Sequence, residues 1–181
     1  LAQTPEDAAR FRDLGAGNPV CHGNLKFAAP PLDADAAELA RLRAMFGSRP
    51  RWLAASTHEG EDEAIGRVHS AVAPHNPGLL TLLVPRHPNR GPAIAARLRA
   101  AGFRVARRGG GESPGADTEI YIADTMGELG LWYRLTEIVV IGGSLAPKGG
   151  QNVLEPARLG CAIVCGPHMN NFLRMAEDMA R

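Results

Sequence analysis

The sequence has 181 residues, 45% apolar and 22% charged, a globular composition that excludes a disordered or fibrous chain. Its 20 lysines and arginines against 19 aspartates and glutamates leave a formal charge of +1, so no bulk field draws in nucleic acid or an acidic membrane. Any anion bound here must be caught by local geometry.

Thr4-Pro5-Glu6-Asp7 predicts a helix start, with a capping hydroxyl, proline at the first helical position and two acids at the positive dipole end. Ala8, Phe11 and Leu14 continue one face, and Gly15 ends it. A short strand near Val20–Cys21 and a turn at Gly23-Asn24 follow. The stiff Pro30-Pro31 then marks a boundary, dividing residues 1–31 from residues 32–181. Asp35 and Glu38 stand at capping-box spacing before a helix carrying Leu39, Leu42, Met45 and Phe46. Trp52–Ala55 reads as a strand, and Ile65, Val68 and Val72 mark the next helix.

Leu79–Val84 is an apolar run of strand length, and Ile94, Ala95, Leu98 and Ala101 form a helix that Gly102 caps. Phe103–Ala106 and Ile120–Ile122 are short strands separated by the flexible Gly109-Gly110-Gly111. A helix through Leu129, Trp132 and Tyr133 leads to the strand Ile138–Ile141. A short helix precedes the strand Ala162–Cys165, and the last helix begins near Asn171. Strands alternating with helices predict a doubly wound α/β fold with a parallel sheet, and the unbroken apolar strands predict burial on both faces.

Three cysteines are too few for a disulfide framework. Cys161 and Cys165 are four strand residues apart, ~13 Å, against the ~7 Å a disulfide tolerates. They read as small buried hydrophobes. No apolar run approaches the ~18 residues of a bilayer span, and no secretory leader is visible. The chain opens at Leu1 and closes at Arg181 inside an unfinished helix, which reads as a soluble piece of something longer.

In a parallel sheet every strand ends on one edge, where ligands bind. Five loops then bring chemistry to that edge: Ser56-Thr57-His58-Glu59, Pro85-Arg86-His87-Pro88, Asp124–Glu128, Gly142-Gly143-Ser144 with Gly149–Asn152, and Gly166–Asn171. Glycines before the helix start at Val153-Leu154-Glu155-Pro156 let backbone N–H groups approach a phosphate. Arg86 can hold a phosphate or a base edge, and Glu155 can take two ribose hydroxyls. The combined expectation is a nucleotide.

Plainer roles stand beside these. Asn152 and Glu155 also have capping-box spacing, although Pro156 complicates such a cap. Glu128 can be an ordinary first-turn acid, His58 and His87 loop histidines bonded to nearby backbone. Ser56, His58 and Glu59 are too close in sequence to align as a catalytic triad. No P-loop, complete dinucleotide-binding glycine motif or zinc spacing is present, and 5% aromatic content disfavours single-strand nucleic-acid binding.

At these loops the sequence resembles the 3-deoxy-D-manno-octulosonic acid (Kdo) transferases of lipopolysaccharide biosynthesis. The resemblance rests on Gly23-Asn24-Leu25-Lys26-Phe27, Ala54–Gly60, Val84–Pro88, Asp124–Gly130, Gly142–Leu145, Gly149–Pro156 and Gly166-Pro167-His168, whose order and spacing cover nearly the whole chain. It implies the C-terminal, donor-binding Rossmann-like half of a GT-B glycosyltransferase, with residues 1–31 as the end of the N-terminal domain and linker, and 32–181 as a donor domain truncated at its C-terminus.

The implied donor is CMP-Kdo, with CMP held by Pro85 and Arg86, by Met126, Gly127 and Glu128, and by Asn152, Val153, Leu154 and Glu155. Val153 stands where the family pattern often has proline, and Lys148 keeps a positive charge near the expected phosphate. The implied acceptor is the lipid A precursor (lipid IVA), reached through an N-terminal domain that carries the general base. No catalytic residue is therefore expected here, and neither a metal nor a cofactor. Transfer would invert the anomeric carbon, in a parent at the cytoplasmic face of the bacterial inner membrane, and this portion alone would be inactive. The rival readings are a UDP-sugar epimerase of similar two-domain fold and a non-catalytic interaction domain.

Overall fold

The computed structural model describes residues 1–22 and 28–179. The turn at Gly23-Asn24 and the Gly23–Phe27 motif lie outside the described residues. The chain divides into two compact units, Leu1–Pro31 and Leu32–Arg181.

In the first unit, helix α1 (Pro5–Asp13) starts as the sequence predicts. Thr4 is the N-cap, and its hydroxyl accepts from Asp7 N at 3.0 Å. The expected strand at Val20–Cys21 is a single parallel bridge between Ala2 and Cys21.

The second unit is a six-stranded, all-parallel, Rossmann-like sheet. Its strands are β1 (Arg51–Thr57), β2 (Leu80–Pro85), β3 (Val105–Arg107), β4 (Ile120–Ile122), β5 (Ile138–Ile141) and β6 (Ala162–Val164), in the order β3-β4-β2-β1-β5-β6. Strand pleating explains why both faces are apolar. On one face Leu53, Ala55, Leu80, Leu82, Tyr121 and Val139 pack against α2 (Ala36–Phe46), α5 (Leu129–Tyr133), α6 (Leu154–Arg158) and α7 (Leu173–Met179). On the other, Trp52, Ala54, Leu83, Ile120 and Ile122 pack against α3 (Glu61–Val72) and α4 (Gly91–Ala100).

Local signals held where local chemistry decides. Asp35 caps α2, accepting from Glu38 N at 2.7 Å. The Glu38 carboxylate does not return the bond; it pairs with Arg41 and Arg108 instead. The expected face of α3 is corrected: Val68 and Val72 are 43% and 38% exposed, while Asp62, Ile65, Gly66 and His69 are buried. That face turned inward because Asp62 and His69 find buried polar partners in Thr57 and Thr81. Gly109-Gly110-Gly111 is no loose connector either. It carries a 3-10 turn at Arg108–Gly110, with Gly109 N bonded to Asp124.

The start of this unit is gripped by α5. Arg134 donates to the Leu32 carbonyl at 2.6 Å, and a Cβ on Gly130 would sit 2.1 Å from the Asp33 carbonyl oxygen.

Candidate functional site

Strand order reverses direction between β1 and β5, and in open parallel sheets that switch point opens a crevice at the carboxyl ends. Here β1 ends in a bulge at Ser56, a non-glycine residue at φ 60°. The loop after β5 lies directly against it. A Cβ on Gly142 would fall 2.2 Å from the Ser56 carbonyl oxygen, so only glycine allows the approach.

The two loops are joined by Glu61, the first residue of α3 and only 1% exposed. Its carboxylate accepts four backbone N–H groups: His58 at 2.8 Å, Gly143 at 2.7 Å, Leu145 at 2.9 Å and Ala146 at 3.1 Å. The loop after β2 joins the same knot, since the Thr57 carbonyl accepts from Arg86 N at 2.9 Å and from the Arg90 guanidinium at 3.0 Å. Arg90 also pairs with buried Asp62, whose carboxyl burial pushes above its ordinary value despite bonds from Thr57 and Arg90.

His58 sits at the centre of this convergence. Its ring meets that of His87 edge-on, centroids 6.2 Å apart, and Gln151 Nε2 lies 3.1 Å from its Nε2. Burial lowers the His58 pKa, and nearby His87, Lys148 and Arg86 lower it further against the opposing pull of Glu61.

The turn after β4 is built differently. Arg108 grips Glu128 with two bonds at 2.7 and 2.6 Å, reaches Glu38 at 2.8 Å and lies over the Trp132 ring at 5.2 Å. The Thr125 hydroxyl donates to the same Glu128 carboxylate. Burial pushes the Glu128 carboxyl up, but the bonds from Arg108 and Thr125 win and hold it below its ordinary value. Glu38 is drawn down to about 2, first by its bonds with Arg41 and, against a burial cost, by Arg108. Behind the turn, buried Asp124 accepts from Arg107 at 2.7 Å and Gly109 N at 2.7 Å.

The sequence-predicted residues fall along this edge as follows. Pro85 closes β2 and is buried, while the Arg86 side chain is exposed. Met126 is 76% exposed, Gly127 has φ +79°, and the Glu128 carboxylate is already occupied by Arg108. Asn152 accepts from Leu154 N at 3.1 Å and donates to Glu155 at 2.9 Å. The expected capping box is corrected in detail: Val153 is the N-cap, and Glu155 meets the Asn152 side chain rather than its backbone. Pro156 then lies inside the first turn, where its missing N–H is harmless. Helix α6 has only five residues, so any anion there would meet individual N–H groups more than a sustained dipole. Val153 and Leu154 bury their side chains and offer the site backbone alone.

These segments follow β4, β2 and β5, which with β1 are neighbours spanning three strand spacings, ~14 Å. The sheet thus sets them on one rim, each held by its own partners. Charge is distributed unevenly along it. Arg90, Arg107 and Arg108 are neutralised by Asp62, Asp124 and the Glu38–Glu128 pair. Among the described residues Arg86, His87 and Lys148 make no ion pair with a carboxylate. At the opposite edge a cleft of about 440 Å³ contains Arg49 and Arg51, but both donate to main-chain carbonyls. No group of three potential metal ligands occurs among the described residues, and no helix among them is long and apolar enough to cross a membrane.

Glu61 and Arg108 were not anticipated as site residues. Glu61 shows only as one of three acids opening a helix, and apart from His58 its partners stand 82 to 85 residues away in sequence.

No protein-family model matches the chain. It is 41% identical to a 3-deoxy-D-manno-octulosonic acid transferase of Bordetella pertussis over 187 residues, covering 98% of this chain and 42% of that protein. It is also 41% identical to one from Haemophilus influenzae over 151 residues, 83% of this chain and 35% of that protein. The chain therefore spans about two fifths of the length of these curated relatives. Among solved structures it is similar to the C-terminal CMP-Kdo binding domain of WaaA from Acinetobacter baumannii. The identity is 34% and the TM-score 0.74, over 80% of this chain and 76% of that one. Likeness in sequence and in three dimensions agrees: the chain belongs to the Kdo transferase family and has the fold of that family's C-terminal domain.

Proposed function

We propose that this chain is the donor-binding portion of an inverting Kdo transferase and that its rim holds the CMP moiety of CMP-Kdo. The observation that carries the reading is the exposed, acid-free Arg86 at the switch point, on the same edge as Met126–Glu128 and Asn152–Glu155, in a chain whose structural relative is a CMP-Kdo binding domain.

The chemistry follows from what each part leaves available. Arg86 supplies a planar cation for the phosphate or the cytosine edge. The turn at Met126–Glu128 supplies an exposed thioether and backbone donors, held by Arg108. Glu155, kept in place by Asn152, supplies a carboxylate for ribose hydroxyls. Departing CMP is an anion, and donors already aimed at its phosphate lower the barrier to transfer.

In the whole protein, residues 1–31 belong to the end of an N-terminal domain and its linker, and residues 32–181 to the donor domain. That N-terminal domain supplies the general base and the groove for the lipid A precursor, at the cytoplasmic face of the inner membrane. This portion alone binds CMP without turnover.

Calorimetric titration of CMP into the 181-residue chain tests the reading. Arg86→Ala removes a charge-assisted contact and is expected to weaken CMP about 10- to 100-fold. Glu155→Ala is expected to weaken it about tenfold, and UMP to compete poorly. Tight CMP binding insensitive to both substitutions overturns the site.

A further inference from the structure

The rim separates its cations into two kinds. Those near β3 and β4 are paired with acids, Arg107 with Asp124 and Arg108 with both Glu38 and Glu128, whereas among the described residues Arg86, His87 and Lys148 are not. The one carboxylate among these unmatched groups, Glu61, has all its capacity taken by four backbone N–H groups. Two fixed positive charges and two imidazoles thus gather beside the switch point with Glu61 as their one opposing charge, and that carboxylate is already committed to the backbone. Arg86, His87 and Lys148 are exposed and keep their hydration, so they stand available to a ligand that brings negative charge.

Resting on the donor-binding reading, we infer that His58, His87, Arg86 and Lys148 form a subsite for an oxyanion of the donor next to its anomeric carbon, and that His58 takes up a proton when the oxyanion binds. An ulosonic acid linked through phosphate carries two such groups, a carboxylate and a phosphodiester, and either fits this chemistry.

The geometry makes His58 the group that responds. Its ring is partly buried and faces two cations, Arg86 and Lys148, with the His87 ring beside it, all of which favour the neutral form. Glu61 on α3 opposes them, His87 and Arg86 face it from the loop after β2, and Lys148 from the loop after β5. An arriving anion reverses the balance. Gln151 is placed to follow the change: its amide nitrogen now faces His58 Nε2, and a half-turn of the amide presents its oxygen to a protonated ring.

Affinity against pH is a poor readout, because a phosphate monoester takes up its own proton near pH 6. The imidazole is therefore followed directly, by proton–carbon NMR titration of the histidine rings in the 181-residue chain, with His58→Gln used only to assign the resonance. Titrations are run with cytidine, with CMP and with free Kdo.

The expected result is a His58 midpoint raised by about one pH unit, tenfold in coupled affinity, with CMP or with Kdo, and unmoved with cytidine. CMP as the active ligand places the phosphate in the subsite, and Kdo places the carboxylate. A second measurement uses Lys148→Gln with His87→Gln, which is expected to weaken CMP while leaving cytidine unchanged. If CMP binds, moving the resonances of Met126–Glu128 and Asn152–Glu155, but neither it nor Kdo moves the His58 midpoint, the subsite is overturned and the donor-binding reading survives. If CMP moves nothing on the rim, both fall.

Discussion

Replacing Glu61 by glutamine removes one oxygen and a charge while keeping the shape of the side chain. Each carboxylate oxygen now serves two backbone donors, His58 and Gly143 on one side, Leu145 and Ala146 on the other. In either orientation the glutamine amide points its own N–H bonds at one of these pairs. Two donors in buried or part-buried bonds lose their acceptor, at about 1–3 kcal/mol each, so the variant is expected to lose about 4 kcal/mol out of the ~5–15 typical of a domain.

With a urea m-value of about 2 kcal/mol/M, the unfolding midpoint falls by about 2 M. Equilibrium urea unfolding followed by tryptophan fluorescence measures it. Amide exchange then locates the damage, which is expected at Gly143, Leu145 and Ala146 before the central strands. A loss below about 1 kcal/mol, with those amides still protected, would refute the idea that one carboxylate holds the two loops together.

Three further outcomes follow from the same geometry. Arg108→Met frees Glu128, while Glu38 keeps its two bonds from Arg41. The depressed pKa of Glu128 contributes stability that is full above about pH 4.5 and lost as pH falls below it, so the variant is expected to have a shallower acid limb in urea unfolding between pH 5 and 2, with the part due to Glu38 and Arg41 retained. Buried His69 bonds Thr81 at 2.8 Å, and burial lowers its pKa. The unfolded chain therefore takes up the proton first, and stability declines as pH drops below about 6.5; His69→Gln, which keeps a polar partner but cannot titrate, is expected to flatten that decline. Gly142→Ala drives a methyl into the Ser56 carbonyl and is expected to cost about 3 kcal/mol, a Tm fall of about 6–12 °C by calorimetry.

What the sequence made legible was what neighbours in the chain decide. The capping of α1 by Thr4 and of α2 by Asp35 is settled within four residues. The central strands β1, β2 and β4 show as apolar runs because they are buried on both faces, whereas the edge strand β6 leaves Val164 49% exposed against the expected two-sided burial. The alternation of strands with helices implies the parallel order that puts the loops on one edge. What stayed hidden depends on distant parts of the chain. Val68 looks as core-like as Ile65, and only the packing of Gly66 against Leu98 and Phe103, with the bonds of Asp62 to Thr57 and of His69 to Thr81, shows that α3 presents Asp62 and His69 instead. Glu128 stands out as a ligand candidate, but its partner Arg108, 20 residues earlier, is one arginine among many until the β3–β4 pairing brings it near. Strand β3 begins two residues later than expected, because Phe103 turns to pack against His69 before pairing starts.

The clasp at Leu32 and Asp33 has a mechanical corollary. A backbone carbonyl filling the space beside Gly130, with a guanidinium hooked over its neighbour, leaves residues 32 and 33 no freedom to swing. The entry of the chain into this unit and the Met126–Glu128 turn therefore share one support, since α5 both holds residues 32 and 33 and continues directly from that turn.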